Sequence, residues 1–284
     1  MRILILGGSG MLGHALLQAL APRHEVRATL HHTLAHYRQW PLFHADNSFD
    51  NVDVRAPEAL ARTLRQFQPQ AVVNCVGVVK QRHDADVLET IEINAAVPHR
   101  IARLCHDAGV RLIHLSTDCV FSGRRGMYSE ADIADAEDLY GRTKYLGELH
   151  APHCVTLRTS FIGRELSGRL GLLEWFLAQK GPVKGFRRAI FSGFTAIELC
   201  RIIERLLTQF PAASGVYHVS SAPIDKCTLL HLLRDHFGAK IDIKDDDAVV
   251  VDRSLDSSRF RREFEYQPPA WADMVKELRC RGAD

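Results

Sequence analysis

The chain begins with a stretch that predicts its fold: residues 3–13 read Ile-Leu-Ile-Leu-Gly-Gly-Ser-Gly-Met-Leu-Gly. The apolar run from Ile3 to Leu6 is short and continuous, as in a strand that is buried on both faces of a parallel sheet. Glycines follow at once, and beyond them apolar residues recur at helical spacing. These positions are Met11, Leu12, Ala15, Leu16, Ala19 and Leu20. The stretch therefore predicts a strand, a tight turn and a helix.

Three of the glycines, Gly7, Gly10 and Gly13, form a G-x-x-G-x-x-G array between that strand and that helix. Because glycine has no Cβ, backbone N–H groups and the positive end of the helix can approach a pyrophosphate closely. A turn that only lets the strand and the helix pack together is the alternative. The position of the array favours dinucleotide binding, with Met11 and Leu12 in the same turn.

Farther along the chain, short apolar runs alternate with helical patterns up to about residue 160. This alternation predicts an α/β fold with a doubly wound parallel sheet, a Rossmann-type domain over residues 1–160 that binds the cofactor. The alternation then breaks up, which predicts a smaller C-terminal substrate-binding lobe over residues 161–284, interleaved with the first domain. Strand candidates are 25–30, 51–54, 71–76, 112–115 and 155–157, and helix candidates are 57–67, 87–108 and 139–149.

Composition and charge narrow the class of protein. Hydrophobic residues make up 46% and charged residues 25% of the 284, which is ordinary for a globular protein. The net charge of +2 lacks the basic footprint of a nucleic-acid binder, and no apolar run is long enough to span a membrane. Seven scattered cysteines without a C-x-x-C pair predict a reducing, cytoplasmic setting. The 15 histidines show no metal-ligand pattern, so no catalytic metal is expected.

The end of the second strand candidate bears on the choice of cofactor. An acidic residue that binds the ribose 2′-hydroxyl of NAD is expected about 20 residues after the glycine array. Residues 26–32 read Val-Arg-Ala-Thr-Leu-His-His and contain neither Asp nor Glu. Arg27, His31, His32 and Arg38 instead offer groups that suit the 2′-phosphate of NADP, unless they are ordinary surface residues. NADP(H) is therefore favoured over NAD(H).

Asp53 comes at the end of the third strand candidate. Its carboxylate can accept a hydrogen bond from the adenine amino group, and Val54 beside it is predicted to line the same site. An isolated Asp before a helix is equally suited to be a cap. Both interpretations stay open.

Two residues of the segment 140–144, Tyr-Gly-Arg-Thr-Lys, have complementary chemistry. Tyr140 and Lys144 are four apart and so lie on the same face of a helix. A phenol is a poor proton donor at neutral pH, and an ammonium nearby stabilises the phenolate and makes proton transfer easier. The pair alone is a weak signal, because chance also produces such spacings.

The strand candidate 112–115 leads into Ser-Thr-Asp at 116–118. Ligands of open α/β sheets bind outside the carboxyl ends of the strands, so the Thr117 hydroxyl is a candidate partner for a substrate carbonyl. A turn or a helix cap is the alternative for such a triplet. The glycine array, Thr117 and the Tyr140/Lys144 pair occur in the order that a single site needs.

These motifs resemble the extended short-chain dehydrogenases, and within them the dTDP-4-dehydrorhamnose reductase-like group. The resemblance covers the first half thoroughly and the second half more loosely. Its further residues are Val73-Asn74-Cys75, Ile93-Asn94-Ala95, Ser116-Thr117-Asp118-Cys119-Val120-Phe121, Leu157-Arg158-Thr159-Ser160, Ser192-Gly193-Phe194-Thr195 and Gly215-Val216-Tyr217-His218-Val219.

The resemblance implies hydride transfer from NADPH to a keto carbon of a nucleotide-activated deoxysugar, in the synthesis of cell-surface polysaccharide precursors. Tyr140 is then the proton donor, Thr117 polarises the carbonyl, and Lys144 tunes Tyr140 and holds the nicotinamide ribose. Asn94 is implied to support Lys144. Further implied contacts are Cys75, Val76 and Gly77 with the cofactor, and Asp118, Tyr140 and Ser160 with the substrate.

The chain departs from the group at two positions. Cys119 replaces the usual tyrosine of the S-T-D-Y-V-F run, and Phe161 stands where a tryptophan often follows. Both changes predict a different sugar pocket. Arg187 and Arg253 are candidates for binding the substrate diphosphate, although most surface arginines contact no ligand.

Other functions of the same fold remain alternatives. A nucleotide-sugar epimerase would return its hydride, and a non-catalytic NADP-binding regulatory subunit would not turn over. Cys119 counts against a 4,6-dehydratase, since an acid is wanted directly after Asp118. A nucleotide-sugar substrate is the expected partner, and a homodimer is left open.

Overall fold

A computed structural model describes residues 1–80 and 86–280. The strands are β1 (Arg2–Leu6), β2 (Glu25–Thr29), β3 (Ser48–Phe49), β4 (Ala71–Asn74), β5 (Arg111–Leu115), β6 (Cys154–Arg158), β7 (Phe161–Ile162), β8 (Val183–Phe186), β9 (Ala189–Phe191), β10 (Phe194–Thr195), β11 (Gly215–His218), β12 (Ile224–Asp225), β13 (Ile243–Asp246) and β14 (Val251–Asp252). The α-helices are α1 (Met11–Leu20), α2 (Pro57–Phe67), α3 (Val87–Ile91), α4 (Val97–Asp107), α5 (Leu139–Leu146), α6 (Leu172–Leu177), α7 (Ala196–Gln209), α8 (Lys226–Phe237), α9 (Ser258–Glu263) and α10 (Trp271–Cys280).

A seven-stranded sheet with the order β11-β6-β5-β4-β1-β2-β3 lies at the centre of the fold. The pairs of β1 with β2 and β4, of β2 with β3, of β4 with β5 and of β5 with β6 are all parallel. From β1 the chain runs outward through β2 and β3, and then returns to the other side of β1 as β4. This reversal is the topological switch point at which doubly wound sheets bind ligands. The predicted fold class is confirmed.

Two sequence-based boundaries were wrong. The third strand is β3 rather than 51–54: Thr29 pairs with Phe49, and Asn51 has φ +55°, in the left-handed region where a strand cannot continue. The predicted helix 87–108 is interrupted by a π-helical turn at Glu92–Ala96. Pro98 has no N–H to donate to the carbonyl of Asn94, so the regular ladder breaks there.

The described residues divide into two compact units whose segments alternate along the chain. Unit 1 comprises segments 1–116, 138–157 and 200–216, and unit 2 comprises 117–137, 158–199 and 217 onward. The division therefore differs from a single boundary at residue 160.

Segment 200–216 belongs to unit 1 through both its backbone and its side chains. β11 lies beside β6 in the central sheet. Arg111 at the start of β5 donates to the carbonyl of Leu206 over 2.6 Å, and Arg23 pairs with Glu204 at 2.7 Å. The spacing of hydrophobic residues indicates that segment 200–216 is buried, but it does not indicate which of the two units the segment packs into.

Unit 2 is built from small sheets and helices. β7 pairs with β10 and β8 with β13, both in parallel, and β9 lies between β12 and β14. No helix among the described residues is long and apolar enough to cross a membrane.

The contact between α1 and β1 generates a prediction. A Cβ on Gly13 would lie 2.1 Å from the carbonyl oxygen of Gly7, whereas a Cβ on Gly10 would lie 3.4 Å from that oxygen, an ordinary contact. We expect Gly13→Ala to lower the free energy of unfolding by about 1–3 kcal/mol, because α1 must move away from β1. Gly10→Ala is the matched control, with an expected loss below about 1 kcal/mol.

Urea unfolding of both variants, followed by circular dichroism, measures the difference. Equal losses in the two variants would contradict a steric requirement specific to Gly13.

Candidate active site

The glycine turn after β1 leaves room for an anion at the start of α1. Gly7 has φ +83°, which lets the chain reverse, and its carbonyl accepts a hydrogen bond from Gly10 N–H at 3.1 Å. Gly10 is the N-cap of α1 and brings no side chain to the first N–H groups of that helix. With Met11 and Leu12 in the first turn, this arrangement fits the pyrophosphate of a dinucleotide.

Three exposed histidines lie after the end of β2. The ring centroids of His31 and His32 are 4.8 Å apart, and those of His32 and His36 are 4.5 Å apart. The Tyr37 hydroxyl lies 3.5 Å from the Ser9 hydroxyl and so joins this segment to the glycine turn. The strand pattern did not predict the position of His36, because a single 3₁₀ turn over Leu34–Tyr37 brings it to His32.

Arg27 takes a different position from the one its charge suggested. Its guanidinium lies over the rings of Phe49 and Phe67, 5.2 and 5.4 Å from their centroids. A cation on an aromatic face is held there by the ring quadrupole. The imidazoles are therefore the groups gathered at the end of β2.

Asp53 is bound by its own neighbour. The backbone N–H of Arg55 donates to Asp53 at 2.9 Å, and the Arg55 guanidinium pairs with the same carboxylate at 2.7 Å. Hydrogen bonding to Arg55 holds the pKa of Asp53 below its usual value. Asp53 thus shapes the turn before α2, whose N-cap is Ala56, while Val54 is buried. Contact between Asp53 and adenine stays a prediction.

Lys144 is buried in unit 1, with only 5% of its surface exposed. Its Nζ donates to the carbonyl oxygen of Leu115, at the end of β5, over 2.6 Å. Burial lowers the pKa of Lys144 to about 8, and the negative charge of Glu148 opposes this shift. Tyr140 lies one turn earlier on α5 and is half-buried. The helix therefore carries a half-buried tyrosine one turn before a buried lysine.

Asn94 fixes the loop after β4 against α5. Its side chain accepts from Val78 N–H at 2.9 Å, donates to Val78 C=O at 3.0 Å, and reaches the Thr143 hydroxyl at 3.5 Å. A Cβ on Gly77 would lie 3.4 Å from the Asn94 side chain and 3.9 Å from Lys144 Nζ. Asn94 thus joins the loop after β4 to Thr143, the residue before Lys144, while its support of Lys144 stays a prediction.

The loop after β4 also brings Cys75 close to the lysine. Burial raises the pKa of the Cys75 thiol, so it is uncharged near neutral pH. Cys75, Val76 and Gly77 follow β4, and the glycine turn follows β1. The two loops lie at the switch point of the sheet, as the predicted cofactor site requires.

Unit 2 begins with Thr117, the residue after Ser116. Its hydroxyl accepts from Cys119 N–H at 3.1 Å, so it caps the 3₁₀ turn Asp118–Val120, as the alternative interpretation held. The same hydroxyl donates to Asp118 at 3.2 Å. Burial raises the pKa of Asp118, while the positive charges of Arg253 and Lys226 oppose the shift. Catalytic use of Thr117 stays a prediction.

Ser160 lies beside this turn in unit 2, since Asp118 N–H donates to the carbonyl of Thr159 at 3.3 Å. Arg253 donates to the carbonyl oxygens of Phe121 at 2.8 Å and Ser122 at 3.2 Å, which holds the segment after the turn. The structure therefore brings Asp118, Ser160 and Arg253 into one unit around one turn.

Arg187 has other partners. Its guanidinium is ion-paired with Asp247 and, at 3.2 Å, with Asp245, so its charge is already neutralised. Among the described residues, Cys227, His231 and Asp245 form a group whose possible metal-binding atoms all lie within 4.8 Å of one another. The Cys227 thiol donates to Asp245 at 3.4 Å.

Comparisons with known proteins find similarity over most of the chain. The family model described as "RmlD substrate binding domain" matches residues 1–230. The dTDP-4-dehydrorhamnose reductase of Escherichia coli is 32% identical over 77% of this chain and 72% of its own length. The probable low-salt glycan biosynthesis reductase Agl14 of Haloferax volcanii is 27% identical over 88% of this chain and 83% of its own. Three other relatives match over 41% to 53% of their own length.

A solved structure shares the fold. The dTDP-4-dehydrorhamnose reductase of Bacillus anthracis, crystallised with NADP, superposes with a TM-score of 0.80 at 20% identity, over 99% of this chain and 98% of the other. The resemblance inferred from the motifs is confirmed.

The position of Asn94 generates a second prediction. Asn94→Ala leaves the N–H and C=O of Val78, a buried residue, without their partner. We expect the free energy of unfolding to fall by about 1–3 kcal/mol, the cost of unsatisfied buried polar groups. Urea unfolding measures this loss.

Gln179→Ala is the control, because its side chain makes one solvent-exposed hydrogen bond, to Trp175 C=O at 2.7 Å. We expect a change within about 0.5 kcal/mol for this variant. A loss no larger in Asn94→Ala than in the control would argue against the support that we assign to Asn94.

Proposed function

The chain belongs to the RmlD substrate binding domain family, and on that premise we propose that it reduces a keto group on a nucleotide-activated deoxysugar with NADPH. The single observation that carries the proposal is the Tyr140/Lys144 pair on α5. Lys144 is buried and hydrogen-bonded to the end of β5, while Tyr140 one turn away is half-buried and accessible. Such a pair transfers a proton to a developing alkoxide.

In this mechanism NADPH, when bound, supplies the hydride to the carbonyl carbon. Tyr140 donates its phenolic proton to the carbonyl oxygen, and the Lys144 ammonium stabilises the phenolate that remains. The Thr117 hydroxyl, which in the structure donates to Asp118, turns its one proton to the same oxygen when substrate binds and so polarises the carbonyl. Lys144 also holds the nicotinamide ribose, and the proton on Tyr140 is restored from solvent.

The cofactor proposal rests on the residues near the glycine turn. The end of β2 carries no carboxylate, and His31, His32 and His36 gather there instead. Imidazoles can donate hydrogen bonds to a 2′-phosphate and carry positive charge when protonated. NADP(H) therefore suits the site better than NAD(H).

The substrate proposal rests on unit 2. Asp118 and Ser160 contact the sugar, and Arg253 with its remaining donors binds the diphosphate. Arg187 is a weaker candidate, since Asp245 and Asp247 already neutralise it. By their names, the Escherichia coli relative reduces a sugar nucleotide and the Haloferax volcanii relative acts in glycan biosynthesis, which supports a role in making polysaccharide precursors.

A cytoplasmic location fits the substrate and the thiols, because none of the seven cysteines forms a disulfide. An epimerase and a non-catalytic NADP-binding regulatory subunit are the competing functions. They are separated from a reductase by whether NADPH is consumed.

The test follows the loss of NADPH absorbance with a panel of dTDP-, UDP- and GDP-linked 4-keto-6-deoxysugars. We expect consumption in proportion to product with one of them. Tyr140→Phe removes only the phenolic hydroxyl and should lower kcat/KM by about 10²- to 10⁴-fold, with NADPH affinity unchanged within about threefold.

Tyr145→Phe is the matched control, because Tyr145 lies on the same helix with its side chain exposed. It should retain the rate of the unmodified protein. A product without net NADPH loss would favour the epimerase, and tight NADPH binding without any product would favour the regulatory subunit.

We also propose that the partner in solution is a second copy of the chain. α3 and α5 pack against each other in unit 1 and expose large apolar side chains, with Leu88 75% and Leu146 62% exposed. A two-fold axis lets one such patch cover its own copy, which removes both from water.

Sedimentation equilibrium tests the dimer. We expect twice the chain mass, and a monomer after Leu88→Arg with Leu146→Arg. The exposed Ile133→Arg is the control outside α3 and α5. A monomeric unmodified protein would rule the dimer out.

A further inference from the structure

Glu148 is a buried carboxylate that the proposed mechanism does not use. It lies just after α5, four residues beyond Lys144, and only 3% of its surface is exposed. The Ser116 hydroxyl donates to one of its carboxylate oxygens over 2.7 Å. Removing a carboxylate from water costs free energy unless nearby groups compensate, so its surroundings need an explanation.

Lys144 and Glu148 hold consecutive residues of the same strand end. Lys144 donates to the carbonyl of Leu115, and Glu148 accepts from the hydroxyl of Ser116. The backbone N–H of Ser116 donates to Leu157 on β6, which fixes the strand end from its other side. Thr117 is the next residue, so Glu148 helps to fix the point from which Thr117 departs.

The charge of Glu148 also acts on the buried lysine. Burial favours the neutral amine, and the carboxylate raises the pKa of Lys144 against that effect. Cys75, in the loop after β4, can oppose the effect of burial on Lys144 only as a thiolate. Burial raises the pKa of the Cys75 thiol, so the thiolate does not form near neutral pH. On β5, burial and the charge of Lys144 hold the pKa of His114 well below its usual value, with a smaller effect of His99 on α4.

His114 is therefore neutral near pH 7, and Cys75 is an uncharged thiol. On α5 itself, Tyr140 is the other titratable group of the pair. Within the part of the chain that the structure describes, Glu148 is then the carboxylate whose charge opposes the effect of burial on the Lys144 ammonium.

We propose that Glu148 is a positioning residue, whose charge keeps the buried Lys144 protonated and whose hydrogen bond fixes the strand end before Thr117. Its catalytic consequence rests on the proposed function, whereas the ionisation of Lys144 is a property of this chain alone. A merely structural role needs only an acceptor for Ser116, which the amide of Gln also supplies.

Two variants separate the charge from the hydrogen bond. Glu148→Gln removes the charge and keeps an acceptor for Ser116, while Ser116→Ala removes the hydrogen bond and keeps the charge. The chain has eight lysines, so ¹³C NMR of the labelled lysine Cε atoms can follow each of them through a pH titration. Lys144→Arg assigns the Lys144 signal by deleting it.

In the unmodified protein without cofactor, we expect the Lys144 signal to titrate near pH 8. Glu148→Gln should move the midpoint down by about one pH unit or more, because the ammonium loses its compensating charge. Ser116→Ala should leave the midpoint within about 0.3 units. Should Glu148→Gln fail to fold, as judged by circular dichroism, Glu148→Ala removes the same charge and should give the same shift.

An unshifted midpoint in a folded charge-removing variant would overturn the proposal. With an active reductase, the alkaline limb of the pH profile of kcat/KM should move to lower pH in Glu148→Gln and stay in place in Ser116→Ala. A shifted titration in a protein that turns over no sugar would overturn the proposed function and leave the role of Glu148 in Lys144 ionisation standing.

Discussion

The close approach of α1 to β1 is the constraint on which the nucleotide half of the structure depends. Gly13 lies against the carbonyl of Gly7, at a distance that leaves no room for a Cβ. This contact sets the angle at which α1 leaves the turn, and therefore where its first N–H groups point. Because β1 is also flanked by β2 and β4, the same turn stands next to the end of β2 and the loop after β4. One steric requirement thus aligns three parts of the site.

Burial of an ammonium is the second constraint, and it links the site to the core. Lys144 reaches the end of β5 from α5. The carbonyl of Leu115 and the carboxylate of Glu148 offset the free-energy cost of removing its charge from water. Asn94 holds the neighbouring loop in place through three hydrogen bonds. Tyr140, one turn earlier on the same helix, is half-buried, so the proposed proton donor keeps some exposure while Lys144 is held in place. Catalysis by pre-organised charges requires that such groups be fixed before the reaction begins.

Local sequence predicted the parts of the fold that obey local rules. The run from Ile3 to Gly13 specifies strand, turn and helix without help from the rest of the chain. The local pattern of residues 51–54 did not predict that β3 ends before Asn51. The positive φ of Asn51 belongs to the turn after β3, and the apolar spacing does not show that turn. The π-helical turn at Glu92–Ala96 could have been predicted from Pro98, which interrupts the hydrogen bonds of a regular helix.

The site residues divide in the same way. The spacing of Tyr140 and Lys144 is visible in the sequence, since both lie on one helix. The partners of Arg27 and Arg187 are not, because folding brings the aromatic rings to Arg27 and the carboxylates to Arg187. Arg55, the partner of Asp53, is only two residues away and could have been found in the sequence. Glu148 was missed although it follows Lys144 by four residues. The repeated spacing of four residues from Tyr140 to Lys144 and from Lys144 to Glu148 was a signal that could have found it, although α5 ends at Leu146.

The alternation of the two units has a consequence for synthesis on the ribosome. Neither unit is a continuous stretch of chain, and unit 1 is complete only when segment 200–216 has left the exit tunnel. Until then β6 lacks its neighbour β11, and the carbonyls that Arg111 binds have not been made. An unpaired strand edge is prone to association with other chains. The nascent protein therefore exposes β6 as the edge of the sheet until residues 215–218 emerge, and β11 then takes its place as the edge strand.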